Sequence, residues 1–281
     1  MTSDDGDREA PSELPSLFVD TTAHVDLALG LPETRAMLET LLREYTPNSS
    51  TYVQMEFERT AVDAALFVLA LSSTPSSGPE YTRELLALVD EGAVPGQPYP
   101  RPGLRALARR VVDSVWRQHG RAPSNRRTFH VLVRTLVEHM NDVRERFPRS
   151  DDTACDLLPG RQQYRRPLSC AATRATCNIN SFLTDRFDNG RLMSTGLEAA
   201  PSATPSLRAG VRSRFAGSPV HVKGRERCWP IGDAIIVLEA VSAGRLLTSN
   251  VRDLEPMCAA IGVEVLSYNR QRLVAVGSLP T

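Results

Sequence analysis

Two short apolar runs near opposite ends of the chain constrain its fold more than any other feature. Leu17-Phe18-Val19 runs into Asp20-Thr21-Thr22, and Arg245-Leu246-Leu247-Thr248 runs into Ser249-Asn250-Val251-Arg252-Asp253-Leu254. Each has the length and composition of a buried strand, and each stops at a polar step that carries a carboxylate. A further acid, Asp233, opens the apolar stretch Asp233-Ala234-Ile235-Ile236. If the two runs lie parallel in one sheet, their ends deliver acidic groups to one edge, where open α/β folds keep their sites. Carboxylates gathered at one point repel unless a divalent cation neutralises them, so the pattern predicts bound metal.

Around these runs the chain alternates between helix-like and strand-like segments. Residues 24–29 read as a helix, and so do residues 33–45, where Pro32 suits the first turn and Met37, Leu38, Leu41 and Leu42 form one stripe. Residues 52–55 read as a short strand leading into a helix, apolar nearly all round, that continues to Leu71 with Glu56 in its first turn. Helices are expected at 80–91, 104–116 and 127–146, with a proline-rich loop between the first two. Residues 150–225 show little periodicity and read as an irregular insertion, partly ordered. The alternation returns with a helix over 233–243, a strand over 245–248, a helix over 253–261 and strands over 263–268 and 273–276.

These segments resemble, in order, the PIN-domain nucleases, which include the ribonuclease toxins of VapC type. Asp20-Thr21-Thr22 is similar to the Asp-Thr-Ser/Asn step that closes the family's first strand. Tyr52-Val53-Gln54-Met55-Glu56-Phe57 looks like its Glu-bearing segment, and Asp233-Ala234-Ile235-Ile236 like its later helix opening. Thr248-Ser249-Asn250-Val251-Arg252-Asp253-Leu254 matches the closing Thr-x-Asn-x-x-Asp-Phe element with Leu in place of Phe, and Gly262-Val263-Glu264-Val265-Leu266 follows as a last strand. The resemblance covers about residues 15–60 and 228–277. It implies a three-layer α/β/α PIN-like domain with a mostly parallel sheet over residues 15–281, interrupted by a helical and irregular insertion at about 75–227.

The activity so implied is metal-dependent endonucleolytic cleavage of RNA. Asp20, Glu56, Asp233 and Asp253 offer only hard oxygen donors, which suit Mg²⁺ or Mn²⁺. Thr22 and Asn250 would support them as neutral groups that fix ligand orientation. The alternatives are a catalytically silent PIN-like protein that binds RNA or acts as a scaffold, and a toxin held in check by an antitoxin. Taken singly, Asp233 and Asp253 are ordinary helix N-terminal acids, Asp20 a turn residue and Glu56 a solvated side chain.

The formal net charge is zero over 281 residues, so the whole-molecule balance names no partner. Its distribution says more. Residues 1–14 are polar and acidic, the composition of a disordered lead. Residues 101–134 carry Arg101, Arg105, Arg109, Arg110, Arg117, Arg121, Arg126, Arg127 and Arg134 against Asp113. Arg105, Arg109 and Arg110 share a helix, with Trp116 further along; such a face neutralises RNA phosphates, or it is a solvated face or a docking surface for an acidic protein. Lys223 is the one lysine, a bias that codon composition also produces.

The start of the chain lacks the basic step and apolar run of a signal peptide, and the longest apolar run, 64–71, is too short for a bilayer. A cytoplasmic protein with no membrane association is therefore expected. Its five cysteines are then thiols or metal ligands. Cys155, Cys170, Cys177 and Cys228, with His221 near the last, could share one structural Zn²⁺; without a Cys-x-x-Cys knuckle, separate thiols are the other reading. Cys258 reads as core.

Overall fold

The apolar run Leu17–Val19 is fully buried, as a strand with parallel neighbours and both faces covered must be. It forms β1 (Ser16–Val19), which lies between β2 (Thr46–Asn48) and β3 (Arg245–Thr248), parallel to both. β3 pairs in parallel with β4 (Glu264–Asn269), and β5 (Arg272–Val276) closes that side antiparallel, giving the order β2-β1-β3-β4-β5. The structure is a computed structural model that describes residues 14–75, 77–78, 80–91, 102–150, 153–155, 178–217, 228–269 and 272–276. The acidic residues 1–13 lie outside that set, as does the proline-rich stretch 92–101.

Alternation along each strand sends side chains to two cores. Leu17, Val19, Leu247, Leu266 and Tyr268 join one, while Phe18, Leu246 and Val265 join the other. On the first face pack α1 (Thr21–Leu29), α2 (Pro32–Leu42), α4 (Asp63–Leu71), α5 (Tyr81–Glu91), α6 (Pro102–His119) and α7 (Arg126–Glu145). The second is covered by α8 (Ile179–Asp185), α9 (Phe187–Glu198), α10 (Pro205–Phe215), α11 (Gly232–Glu239) and α12 (Val251–Ala260). Between the two, α3 (Thr51–Phe57) gives Tyr52, Val53 and Met55 to the second core and Phe57 to the first, and a π-helical turn (Glu58–Val62) joins it to α4. Helices on both faces of a parallel α/β sheet are compatible with three layers. No described helix is long and apolar enough to cross a membrane.

Two sequence expectations need correction. Residues 52–55 are helix, because the Ser50 side chain accepts the Val53 amide at 3.0 Å and caps α3. The strand expected there is Thr46–Asn48 instead; its Pro47 is tolerated because β2 is an edge strand. Residues 150–225 are not irregular throughout, since 179–215 contain α8, α9 and α10. Phe182, Leu183, Met193, Leu197, Leu207, Val211 and Phe215 from these helices are buried in the second core. The helices are short and approach closely at glycines: a Cβ on Gly190 would meet the Phe215 ring, and one on Gly196 the Pro256 carbonyl. That is why a Gly- and Ser-rich stretch packs here.

Candidate active site

The chain leaves β1 for β2 on one side and later returns to β3 on the other, so β1 and β3 meet where the winding of the sheet reverses. Parallel sheets open a crevice beyond the C-terminal ends of such strands. Asp20 stands there, its amide bonded to the Leu247 carbonyl at 3.1 Å and its side chain capping α1 through the Thr21 amide at 2.6 Å. Two hydroxyls, from Thr22 and from Thr248, each donate to Asp20 Oδ2 at 2.7 Å. Each in turn accepts an amide: Ser249 to Thr22 at 3.1 Å and Asn250 to Thr248 at 2.9 Å. Asp20 is thereby held in one orientation by the start of α1 and the end of β3 and is 2% exposed.

Glu56 comes from the last turn of α3, where Thr21 Oγ1 donates to its Oε2 at 2.7 Å. Asp233 comes from the first turn of α11, and Asn250 Nδ2 donates to its Oδ2 at 3.4 Å. Both are half-buried. A further acid, the fully buried Glu239 at the end of α11, fixes the start of α3: it accepts Ser50 Oγ at 2.6 Å and the Ala154 amide at 2.8 Å. Thus the predicted residues Asp20, Glu56, Asp233, Thr22 and Asn250 converge at one sheet edge.

Electrostatics carry the mark of that convergence. Burial raises the Asp20 carboxyl above its usual range even though Thr248 and Thr22 hydrogen-bond the charged form. Desolvation, and the charges of Asp20 and Glu239, push Glu56 up to about 7 against the hydrogen bond from Thr21 and the Arg59 guanidinium. Asp233 is driven well above the carboxylate range by desolvation and then by Glu56, Asp20 and Asp253. Crowded, desolvated acids favour a proton or a cation in their midst.

Asp253 is differently placed. It lies in the first turn of α12, within electrostatic reach of Asp233, but its oxygens accept the Thr204 amide at 2.8 Å, the Thr204 hydroxyl at 2.9 and 3.0 Å, and Arg252 Nη2 at 3.1 Å. Burial would raise its carboxyl, yet the Arg252 and Thr204 hydrogen bonds hold it below the usual value. The structure therefore uses Asp253 to anchor the start of α10. Among the described residues, no three His, Cys, Asp or Glu side chains stand close enough to hold a metal ion as placed. The donor chemistry of Asp20, Glu56 and Asp233 still fits a hard divalent cation: all are oxygens, and each is displaced toward the protonated state that a cation would replace.

Tyr52, Thr21, Thr248 and Glu239 complete the site and were not singled out by sequence. Tyr52 lies one helical turn before Glu56 and is buried, and a Cβ added to Gly232 would come 2.9 Å from its hydroxyl and 4.0 Å from Glu56 Oε1. The i, i+4 pairing of Tyr52 with Glu56 and the place of Thr248 at the head of the Thr-x-Asn-x-x-Asp element were the signals in the sequence; Thr21 had none beyond adjacency to Asp20.

The arginine face is largely engaged within the fold. Arg110 pairs with buried Asp26, which also accepts the Tyr268 hydroxyl at 3.0 Å, while Arg109 meets Asp90 at 3.4 Å and Arg105 the Asp90 carbonyl at 3.5 Å. Trp116 is 42% exposed and lies outside the core. Cys155 and Cys228 pack against the second core, and Cys258 is buried in it, whereas Cys170, Cys177 and His221 lie outside the described residues. Compared with protein families, with characterised proteins and with solved structures, the chain matches none.

Proposed function

We propose that this protein is a PIN-like, metal-dependent endoribonuclease whose site is formed by Asp20, Glu56 and Asp233. The observation that supports this most is the meeting of three desolvated carboxylates, from the end of β1, α3 and α11, at the crevice where the winding of the sheet reverses. Mg²⁺ or Mn²⁺ held by these three would activate a water and stabilise charge on a phosphodiester. The chain's own part is orientation: Thr22 and Thr248 fix Asp20, Thr21 fixes Glu56, and Asn250 fixes Asp233. Neutral donors do this without adding to the repulsion. Arg105 and Arg109, on the outer face of α6, offer phosphate contacts to RNA.

The engagement of Asp253 by Thr204 and Arg252 favours a second reading, a PIN-like protein that binds RNA without cutting it. One assay separates them. Purified protein with mixed RNA and Mn²⁺ or Mg²⁺ is expected to cleave internally, and Asp20→Asn and Asp233→Asn variants to cleave no faster than buffer while remaining folded. Addition of either ion should also raise the melting temperature of wild-type protein more than that of Asp20→Asn. RNA that stays intact yet is retained by wild-type protein would select the silent reading. A small antitoxin encoded beside the protein would change its regulation and leave the chemistry as described.

A further inference from the structure

The other end of the first helical layer holds a cationic cavity that the acidic site does not use. It has a volume of about 600 Å³ and is lined by Arg126, Arg127, His130 and Arg134, with Ser77, Asn125 and Val131. The described lining includes no carboxylate. Arg126, His130 and Arg134 recur at every fourth residue of α7, so three basic side chains share one helix face.

Hydrogen bonding sharpens the point. The Ser72 hydroxyl lies 2.6 Å from the Leu69 carbonyl and 2.7 Å from His130 Nε2, and the Arg126 Nε–H points at the same ring nitrogen from 3.4 Å. His130 is accordingly held below its usual pKa by burial and by the charges of Arg126 and Arg134. Asn125 Oδ1 accepts the Thr128 amide at 2.9 Å and caps α7 beside the cavity.

We propose that this cavity binds a small polyanion bearing phosphate groups, of the size and charge of a nucleotide's polyphosphate, gripped chiefly by Arg126 and Arg127. Guanidinium forks match phosphate oxygens two at a time, and several together exceed what one carboxylate ligand needs. The volume lies within the range of small-molecule sites. α7 has 20 residues and is therefore about 30 Å long. Its far end leads to Phe147, whose ring packs on His24, one turn from Asp20. The cavity is thus remote from the acidic cluster, and its ligand need not be the substrate proposed there.

Titration calorimetry on the full chain, in metal-free buffer, tests this with pyrophosphate and with a short single-stranded oligoribonucleotide as probes. Pyrophosphate is expected to bind wild-type protein, and Arg126→Gln/Arg127→Gln to weaken it at least about tenfold, since each arginine removed is one half of a charge-assisted pair. Arg83→Gln, an exposed arginine paired with Glu80, controls for total charge and should bind as wild type. If the double variant misfolds by circular dichroism, Arg134→Gln supplies the reading, with a smaller but measurable loss. Absence of pyrophosphate binding, equal affinity in the arginine variants, or displacement of pyrophosphate by the oligonucleotide at lower concentration would each overturn the proposal, the last identifying a strand contact instead.

Discussion

Gly232 keeps the centre of the acidic site open. A Cβ there would meet the Tyr52 hydroxyl at 2.9 Å, and Tyr52 is a stiff, buried ring with little room to move. Gly232→Ala should therefore lower the denaturant midpoint, by about 1–3 kcal/mol of stability, and Tyr52→Phe in the same chain should restore most of it. Two desolvated titratable groups make opposite contributions to acid stability. His24, pushed by burial from 6.5 down to about 4, is neutral in the fold; its contribution is present above pH 6.5 and is lost as pH falls toward 4. Glu56, raised from 4.5 to about 7, is protonated more readily in the fold, so its contribution is present below pH 4.5 and is lost as pH rises through 7. In the wild-type protein the two slopes oppose each other. Glu56→Gln removes one, and its melting temperature in chelator should fall more steeply than wild type between pH 6.5 and 4.5; parallel profiles would show that Glu56 is not desolvated as described.

At the scale of elements, the joint between α3 and α4 is the most demanding. Its π-helical turn places Glu58 opposite Arg144 of α7, at 3.3 Å, and Arg144 also meets Glu145 at 2.7 Å while only 1% exposed. Arg144→Leu leaves Glu58 in a buried site and should cost about 3–5 kcal/mol by chemical denaturation, whereas Glu58→Leu/Arg144→Leu should recover part of that loss. Much of this level was legible in the sequence. β3 falls on the residues expected, and α5, α6 and α7 within a few positions, because strong periodicity or a clean apolar run marked each. β2 was hidden by its Pro47, and α8, α9 and α10 by their glycines and serines, whose role depends on neighbours that sequence does not display. Asp20, Glu56 and Asp233 were visible as acids at strand and helix ends. The diversion of Asp253 was not, since Thr204, the residue responsible, sits 49 positions away in a stretch with no motif.

Across the whole molecule, the arginines of α6 divide into two tasks. Arg110 neutralises Asp26 in the first core, so Arg110→Ala should destabilise the fold by about 3 kcal/mol and blur any binding measurement. Arg105→Ala/Arg109→Ala is the informative variant: if the outer face of α6 tracks RNA, the slope of log affinity against log salt should flatten by about 0.7 for every phosphate the variant no longer neutralises. An unchanged slope would assign this face to a protein partner or to solvent. The sheet itself has a further consequence, for timing. Asp20 is held by Thr248, which follows it by 228 residues, and β1 has no second neighbour until β3 arrives. During synthesis at roughly 5–20 residues per second, Asp20 waits on the order of 10–50 s for that partner. A nascent chain therefore carries Asp20 apart from Asp233 until the later part of the sheet is made, and the proposed site assembles only once β3 has joined β1.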